Sequence, residues 1–292
     1  MRYRVTHRTR YHYSAPVSHC YNVAHLLPRA TPQQSCSRSE LNISPLPTSL
    51  NEWNDLFGNR QVSFCIQQAH KELTVTAISE VEVTALGSLL DNAFPISCEQ
   101  AVTYLAASRE AEVIEARQYV LESDFIEFSA EVDAYSRVSF AADRPLLEAV
   151  EELMHRIYQD FEYDPHFSNI ATPLADVLEH RKGVCQDFAH LAIACLRMRG
   201  LAARYVSGYL ETLPPPGQQR LVGADASHAW FSVFVPYQGW IDFDPTNAQL
   251  PAEQHITAAW GRDYADVAPL KGVLFGGGDE HLLDVSVDVQ RL

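Results

Sequence analysis

The run from Gly183 to Gly200 constrains this chain more than any other segment, because it sets a loop turning into an apolar helix ahead of a succession of strand patterns. Thr172-Pro173-Leu174 opens a short helix that Gly183 can terminate, and Leu191-Ala192-Ile193-Ala194-Cys195-Leu196-Arg197-Met198 gives an apolar helical run ending at Gly200. Cys185 therefore falls in a helix's first turn. Unpaired N–H groups and the positive end of the helix dipole there favour thiolate over thiol, the reactive form of a cysteine.

The segments that follow supply a base and a carboxylate. Strand-like Ala203 to Leu210 leads through a loop, Leu213 to Ala226, into a strand beginning at His228; after Pro236-Tyr237-Gln238-Gly239 comes a second short strand, Trp240 to Asp244, stopped by Pro245. The turn lies midway between His228 and Asp244, so antiparallel pairing brings them within a few residues of facing each other. A nucleophile, a base and a third group that orients the base is the arrangement nucleophilic catalysis requires. Taken singly, each residue has an ordinary structural role: a buried core thiol, a strand-end histidine, an aspartate forming a turn. Their joint pattern argues for catalysis.

Gly183-Val184-Cys185-Gln186-Asp187-Phe188, Ser227-His228-Ala229-Trp230 and Gly239-Trp240-Ile241-Asp242-Phe243-Asp244-Pro245-Thr246-Asn247 resemble the nucleophile, histidine and aspartate motifs of the transglutaminase-like superfamily, a branch of the papain-like thiol enzymes. The resemblance implies Cys185 as nucleophile, His228 as base and Asp244 as orienting acid, with Asp242 the competitor set aside because Asp244 has the Asp-Pro-Thr context. Asp55-Leu56-Phe57-Gly58-Asn59-Arg60, followed by strand-like Gln61 to Thr84, resembles the N-terminal region attached to bacterial members. Gly261 to Pro269 and Gly276-Gly277-Gly278 resemble their C-terminal segment, which implies that Tyr264 and Asp266 either line the cleft or support it. Bacterial members of this kind are described as candidate cysteine proteases.

The α+β fold expected has two parts: residues 1–138, an antiparallel β-sandwich or barrel, and residues 139–292, a papain-like core with the nucleophile helix packed on an antiparallel sheet. Alternation from Arg2 to Tyr13 and from Leu73 to Val83 marks the first part. Cys98 to Ser108 reads as a short helix, Tyr119 to Phe128 as an irregular connection, and Pro145 to Gln159 as an apolar-periodic helix. Leu283 to Val289 alternates and adds an edge strand at the end of the second part. Pro214-Pro215-Pro216-Gly217 is a rigid turn beside the histidine strand, either a plain loop or the rim of a substrate groove.

The formal net charge of −15 repels phosphate backbones and disfavours anionic lipid, and no apolar run approaches the roughly 18 residues of a membrane span. No nucleic acid and no membrane are expected as partners; a peptide or protein substrate is. The start, Met1 to Arg10, lacks the apolar stretch of a secretory signal, and six cysteines without a Cys-x-x-Cys pair fit free thiols in a reducing cytoplasm. Cys195, in an apolar setting, reads as inert core. His7, His12, His19 and His25 match no zinc spacing, Gly276-Gly277-Gly278 lacks the Lys of a phosphate loop and reads as a flexible connection, and no acidic calcium loop is present. No cofactor and no metal are expected.

The chemistry expected is acyl transfer on a peptide or carboxamide bond through a thioester, with hydrolysis favoured over transfer to an amine. The backbone N–H of Cys185 is a natural oxyanion donor; the second donor has no sequence signature. Two other classes stand beside this one: a catalytically silent peptide-binding module on the same fold, and a metallohydrolase built on His228, Asp242 and Asp244.

Overall fold

The computed structural model describes residues 1–84, 95–212 and 226–292. Its organising element is β1 (Arg2–Ala24), 23 residues long. Tyr3, Val5, His7 and Thr9 are buried while Arg2, Arg4 and Arg8 are exposed, the two-residue period of a strand covered on one face. β2 (Gln34–Ser44), β3 (Ser49–Asn54), β4 (Arg60–Ile66) and β5 (His70–Val83) join it in the order β2-β5-β1-β4-β3, all antiparallel. A register break between His12 and Val17 divides β1, so that its first half pairs with β5 and its second with β4.

Helices then connect the two regions. α1 (Cys98–Ala107) starts on a capping box, Ser97 Oγ accepting the Gln100 N–H (3.2 Å) and Gln100 Oε1 accepting the Ser97 N–H (3.0 Å). α2 (Ala111–Ala116), a 3₁₀ turn at Arg117–Val120, and α3 (Ala130–Arg137) follow. α4 (Leu146–Asp160) buries Leu146, Val150, Leu153 and Ile157, as its periodicity requires. β6 (Glu162–Tyr163) and β7 (Lys182–Gly183) form a short parallel pair around α5 (Leu174–His180) and deliver the chain to α6 (Cys185–Met198).

Every residue of α6 from Asp187 to Arg197 is buried, so this helix needs protein on all sides. It rests on β8 (Ala203–Leu210) and β9 (Ala226–Val235) and is covered by α3, α4 and α5. β10 (Gly239–Phe243) and β11 (His255–Gly261) complete an antiparallel sheet in the order β10-β9-β8-β11. Ala229, Phe231 and Val233 of β9 meet Phe188, Ala192 and Leu196 of α6 in one continuous core.

After α7 (Tyr264–Val267), β12 (Leu270–Gly276) and β13 (His281–Arg291) return to the first sheet and pair antiparallel with β1. The alternating Leu283–Val289 run is therefore a strand of the N-terminal sheet rather than of the second one: its partners run from Tyr11 back to Val5. The expectation of a flexible connection at Gly276-Gly277-Gly278 is likewise corrected. These residues hold φ of +94°, +91° and +79°, where side chains other than glycine's are disfavoured. The Gly277 N–H donates to the Pro16 carbonyl (3.1 Å) and its own carbonyl accepts from Ala15 (3.0 Å), fixing the turn into the break in β1.

Two side-chain amides dock the first region on the free edge of β11. Gln34 Nε2 donates to the Thr257 carbonyl (2.7 Å) while its Oε1 accepts the Thr257 N–H (2.9 Å). Asn59 repeats the pattern on Trp260, at 2.8 and 2.9 Å. Asn59 belongs to the Asp55–Arg60 motif, in which Asp55 Oδ1 accepts the N–H groups of Phe57 and Asn59 (2.8 Å each) and Gly58 turns at φ +73°. The motif's structural purpose is to present that amide. Among the described residues no helix is long and apolar enough to cross a membrane.

Candidate active site

Cys185 is the first residue of α6, half-buried, with Val184 extended before it. The local sequence builds this start around Asp187. Its Oδ2 accepts the Val184 N–H (2.8 Å) and the Ser168 hydroxyl (2.6 Å), so the helix is capped from its third residue; valine offers no acceptor for the reciprocal bond of a capping box. Burial holds the Asp187 carboxyl above its usual range, against the pull of these two donors. Gly183 is required by contact: a Cβ there lies 2.9 Å from both Cβ and Oδ2 of Asp187.

His228 enters on β9, 8% exposed, and Asp244 follows β10, fully buried. The hairpin pairs Phe243 with Phe231, and the side chains close the remaining gap: His228 Nε2 and Asp244 Oδ2 are 2.8 Å apart. The Cys185 thiol stands close enough to the same ring to act on it electrostatically. Burial alone lowers the pKa of His228, but the hydrogen bonds and charges of Asp244 and Cys185 overcome it and push the ring up to about 10. Asp244 moves the other way. Burial would raise it, yet its donors and the His228 charge hold it well below the usual carboxylate range.

Those donors explain the motif around Asp244 and bring in residues that sequence reasoning missed. Oδ1 accepts the N–H groups of Thr246 (3.0 Å) and Asn247 (3.3 Å); Oδ2 also accepts from Asn247 Nδ2 (2.7 Å) and lies 3.1 Å from His255 Nε2. His255, 5% exposed at the start of β11, sits in a segment without any motif, so only the tertiary fold brings it to Asp244. Tyr163, exposed, and Tyr205, buried, stand close enough to Cys185 for its charge to raise both phenols beyond the effect of burial.

The other sequence candidates divide cleanly. Asp242 accepts from Trp230 Nε1 (3.1 Å) and from the Ser232 hydroxyl, away from His228, so the set His228, Asp242, Asp244 is not brought together. The donor atoms of His228, Asp244 and His255 do lie within 4.8 Å of one another, and among the described residues this is where a metal ion could be held. Tyr264 donates its backbone N–H to His190 Nε2 (3.2 Å), and Asp266 pairs with Arg262 (2.9 Å). His7 bonds Thr9, His12 faces Glu72, His19 stacks on Phe275 and His25 meets Gln61, each in its own direction. Pro214 to Gly217 lie outside the described residues.

Comparisons with known proteins identify the family. Residues 3–82 match the bacterial transglutaminase-like N-terminal region and residues 134–245 the transglutaminase-like superfamily. An uncharacterized protein of Mycobacterium tuberculosis is 43% identical over 99% of this chain and 92% of its own length. The crystal structure of a candidate cysteine protease from Cytophaga hutchinsonii superimposes with a TM-score of 0.73 at 20% identity, over 100% of this chain and 91% of that one. A protein-glutamine gamma-glutamyltransferase of Pseudomonas aeruginosa is 32% identical over 139 residues, 44% of this chain and 21% of that enzyme. A helix-and-sheet core matched over residues 134–245, behind an N-terminal region matched over residues 3–82, places the chain in the transglutaminase-like superfamily, joined to the N-terminal region of its bacterial members.

Proposed function

We propose that this protein is a thiol-dependent acyl-transfer enzyme with Cys185 as nucleophile, His228 as acid and base, and Asp244 as the group that orients the ring. The observation that carries the reading is the position of His228, fixed through Nε2 by a carboxylate and lying beside a sulfur at a helix start. The sulfur attacks the carbonyl of a peptide or carboxamide, forming a C–S bond while the carbonyl π pair moves onto oxygen. The N–H of Cys185, which as a first-turn amide has no acceptor within its helix, receives that oxyanion. As the C–N bond breaks, His228 passes its proton to the departing amine, and the neutral ring then takes a proton from the water that resolves the thioester. A raised His228 suits this order, because the ring carries the proton at neutral pH before the amine needs it.

Hydrolysis is the outcome we assign, with a peptide or protein substrate. The gamma-glutamyltransferase relationship favours a second outcome, in which an amine takes the place of water. Six free cysteines among the described residues support a reducing, cytoplasmic setting. A peptide-library screen for cleavage and deamidation, read by mass spectrometry beside a Cys185→Ala control, tests the reading. Products that persist in the control would refute it; amide products at low amine concentration would replace hydrolase by transferase.

A further inference from the structure

A cavity of about 650 Å³ lies against the second sheet on the face turned away from α6. Trp230 and Phe234 of β9 line it, whereas the alternating Ala229, Phe231 and Val233 belong to the core beneath α6. Neither Cys185 nor His228 is among its walls, and three of the chain's four tryptophans are: Trp230, Trp240 and Trp260. Four buried polar atoms without a hydrogen-bond partner belong to residues of this one cavity: Arg29 Nε, Arg204 Nε, Gln238 Oε1 and His255 Nδ1. Folded interiors leave few such atoms unpaired; Gln238 adjoins the end of β9 at Val235 whereas His255 is in register with its start at Ala226, so these atoms are spread along the cavity rather than gathered at one point.

We propose that this cavity binds a small molecule carrying a carboxylate beside an aromatic side chain, the chemistry of an N-acylated aromatic amino acid. Arg204 supplies the anchor. It is 7% exposed, and its guanidinium lies 3.6 Å from the centroid of Trp260 and 4.3 Å from that of Trp240. Arg29 lies over Trp260 at 3.1 Å, so the two cations must occupy opposite faces of that indole. A guanidinium laid over a ring keeps its N–H groups in its own plane, where their fork matches a carboxylate. The acids nearest Arg204, Asp242 and Glu115, act on it through space. Burial lowers its pKa to about 10, so it stays charged at neutral pH.

Aromatic walls receive the side chain. Glu112 and Glu115, exposed and lining the cavity, disfavour a multiply charged anion such as phosphate. This inference is independent of the chemistry assigned to Cys185.

Calorimetric titration of the full chain with N-acetylphenylalanine tests it, with tryptophan emission reporting location, since three of the four emitters line the cavity. Saturable binding at or below the millimolar range is expected, with N-acetylphenylalaninamide, which lacks only the charge, weaker by about tenfold or more, as befits loss of a bidentate pair. Arg204→Met should lose binding to the same extent. Ala252→Trp adds bulk from an exposed position in the wall and leaves Arg204 in place; it should weaken binding comparably and decides the matter if Arg204→Met does not fold. The proposal is overturned if the wild type shows no saturable signal, if amide or inorganic phosphate binds as well as the acid, or if a folded variant binds like the wild type.

Discussion

The carboxylate oxygen Oδ2 of Asp244 meets three nitrogens, on His228, Asn247 and His255, at 2.7 to 3.1 Å, and this saturation decides what single substitutions should do. Asp244→Asn keeps an acceptor for His228 but loses the charge, so its loss of activity should be smaller than that of Asp244→Ala, and His228→Ala should be nearly as damaging as Cys185→Ala. An Asp242→Ala variant as inactive as His228→Ala, beside an active Asp244→Ala, would transfer the orienting role to Asp242. Iodoacetamide should label Cys185 before any other cysteine, because Cys195 is fully buried and its thiol is pushed up to about 12 by that burial; peptide mapping that finds Cys195 modified first would contradict the assignment. The ion pair also sets a pH dependence. His228 is raised from 6.5, so its contribution to stability is complete below that value and is lost as pH climbs towards about 10. Asp244 is lowered from 3.8, so its contribution is complete above that value and is lost on further acidification. Wild type should therefore exceed Asp244→Asn in urea unfolding by on the order of 2 kcal/mol between these two limits, with the gap narrowing as pH rises. A gap that widens towards pH 10 would mean that His228 is neutral in the fold.

At the level of elements, the start of α6 is held by Asp187, and Gly183→Ala should disturb it without touching the sulfur. The new Cβ would sit 2.9 Å from the Asp187 side chain, forcing the cap off the Val184 N–H and costing about 1–2 kcal/mol, the usual scale of a lost cap. Denaturant unfolding together with the alkylation rate of Cys185 checks this: an unchanged stability would show that the cap is dispensable. The same helix shows what was legible in the sequence. Its apolar run, its bounding glycines and the hairpin carrying His228 and Asp244 are local patterns, and each element they imply is present. Asp187 stood inside the quoted motif, but its role needed the knowledge that Gly183 leaves space for a side chain folding back. α2 and α3, of six and eight residues, are too short for helical periodicity to stand out. His255, Ser168 and the path of Leu283–Val289 depend on contacts distant in sequence, and their residue types carry no signal on their own.

For the molecule as a whole, the first and last strands form one sheet and bracket the core between them. β1 pairs with β13 over Tyr3 to Tyr13 and with β12 over Val17 to Ala24, so unfolding the N-terminal sheet also removes the support of the chain's end. The edge of β11 is meanwhile closed by Gln34 and Asn59. Closing a sheet edge with side-chain amides satisfies backbone groups that would otherwise lie buried and unpaired. We therefore expect the two regions to unfold together, and Asn59→Ala to lower the stability of both. Asn59 is fully buried, and its loss strands the N–H and carbonyl of Trp260, a penalty of about 2–3 kcal/mol if neither finds another partner. Hydrogen exchange followed by mass spectrometry separates the outcomes, because it reports β5 and β9 in the same experiment. Protection lost in parallel in both strands, in wild type under denaturant and earlier in Asn59→Ala, is the expected result. Loss in β5 while β9 stays protected would mean that the second sheet and α6 stand without the first region, and that the Asn59 contact joins two separable units.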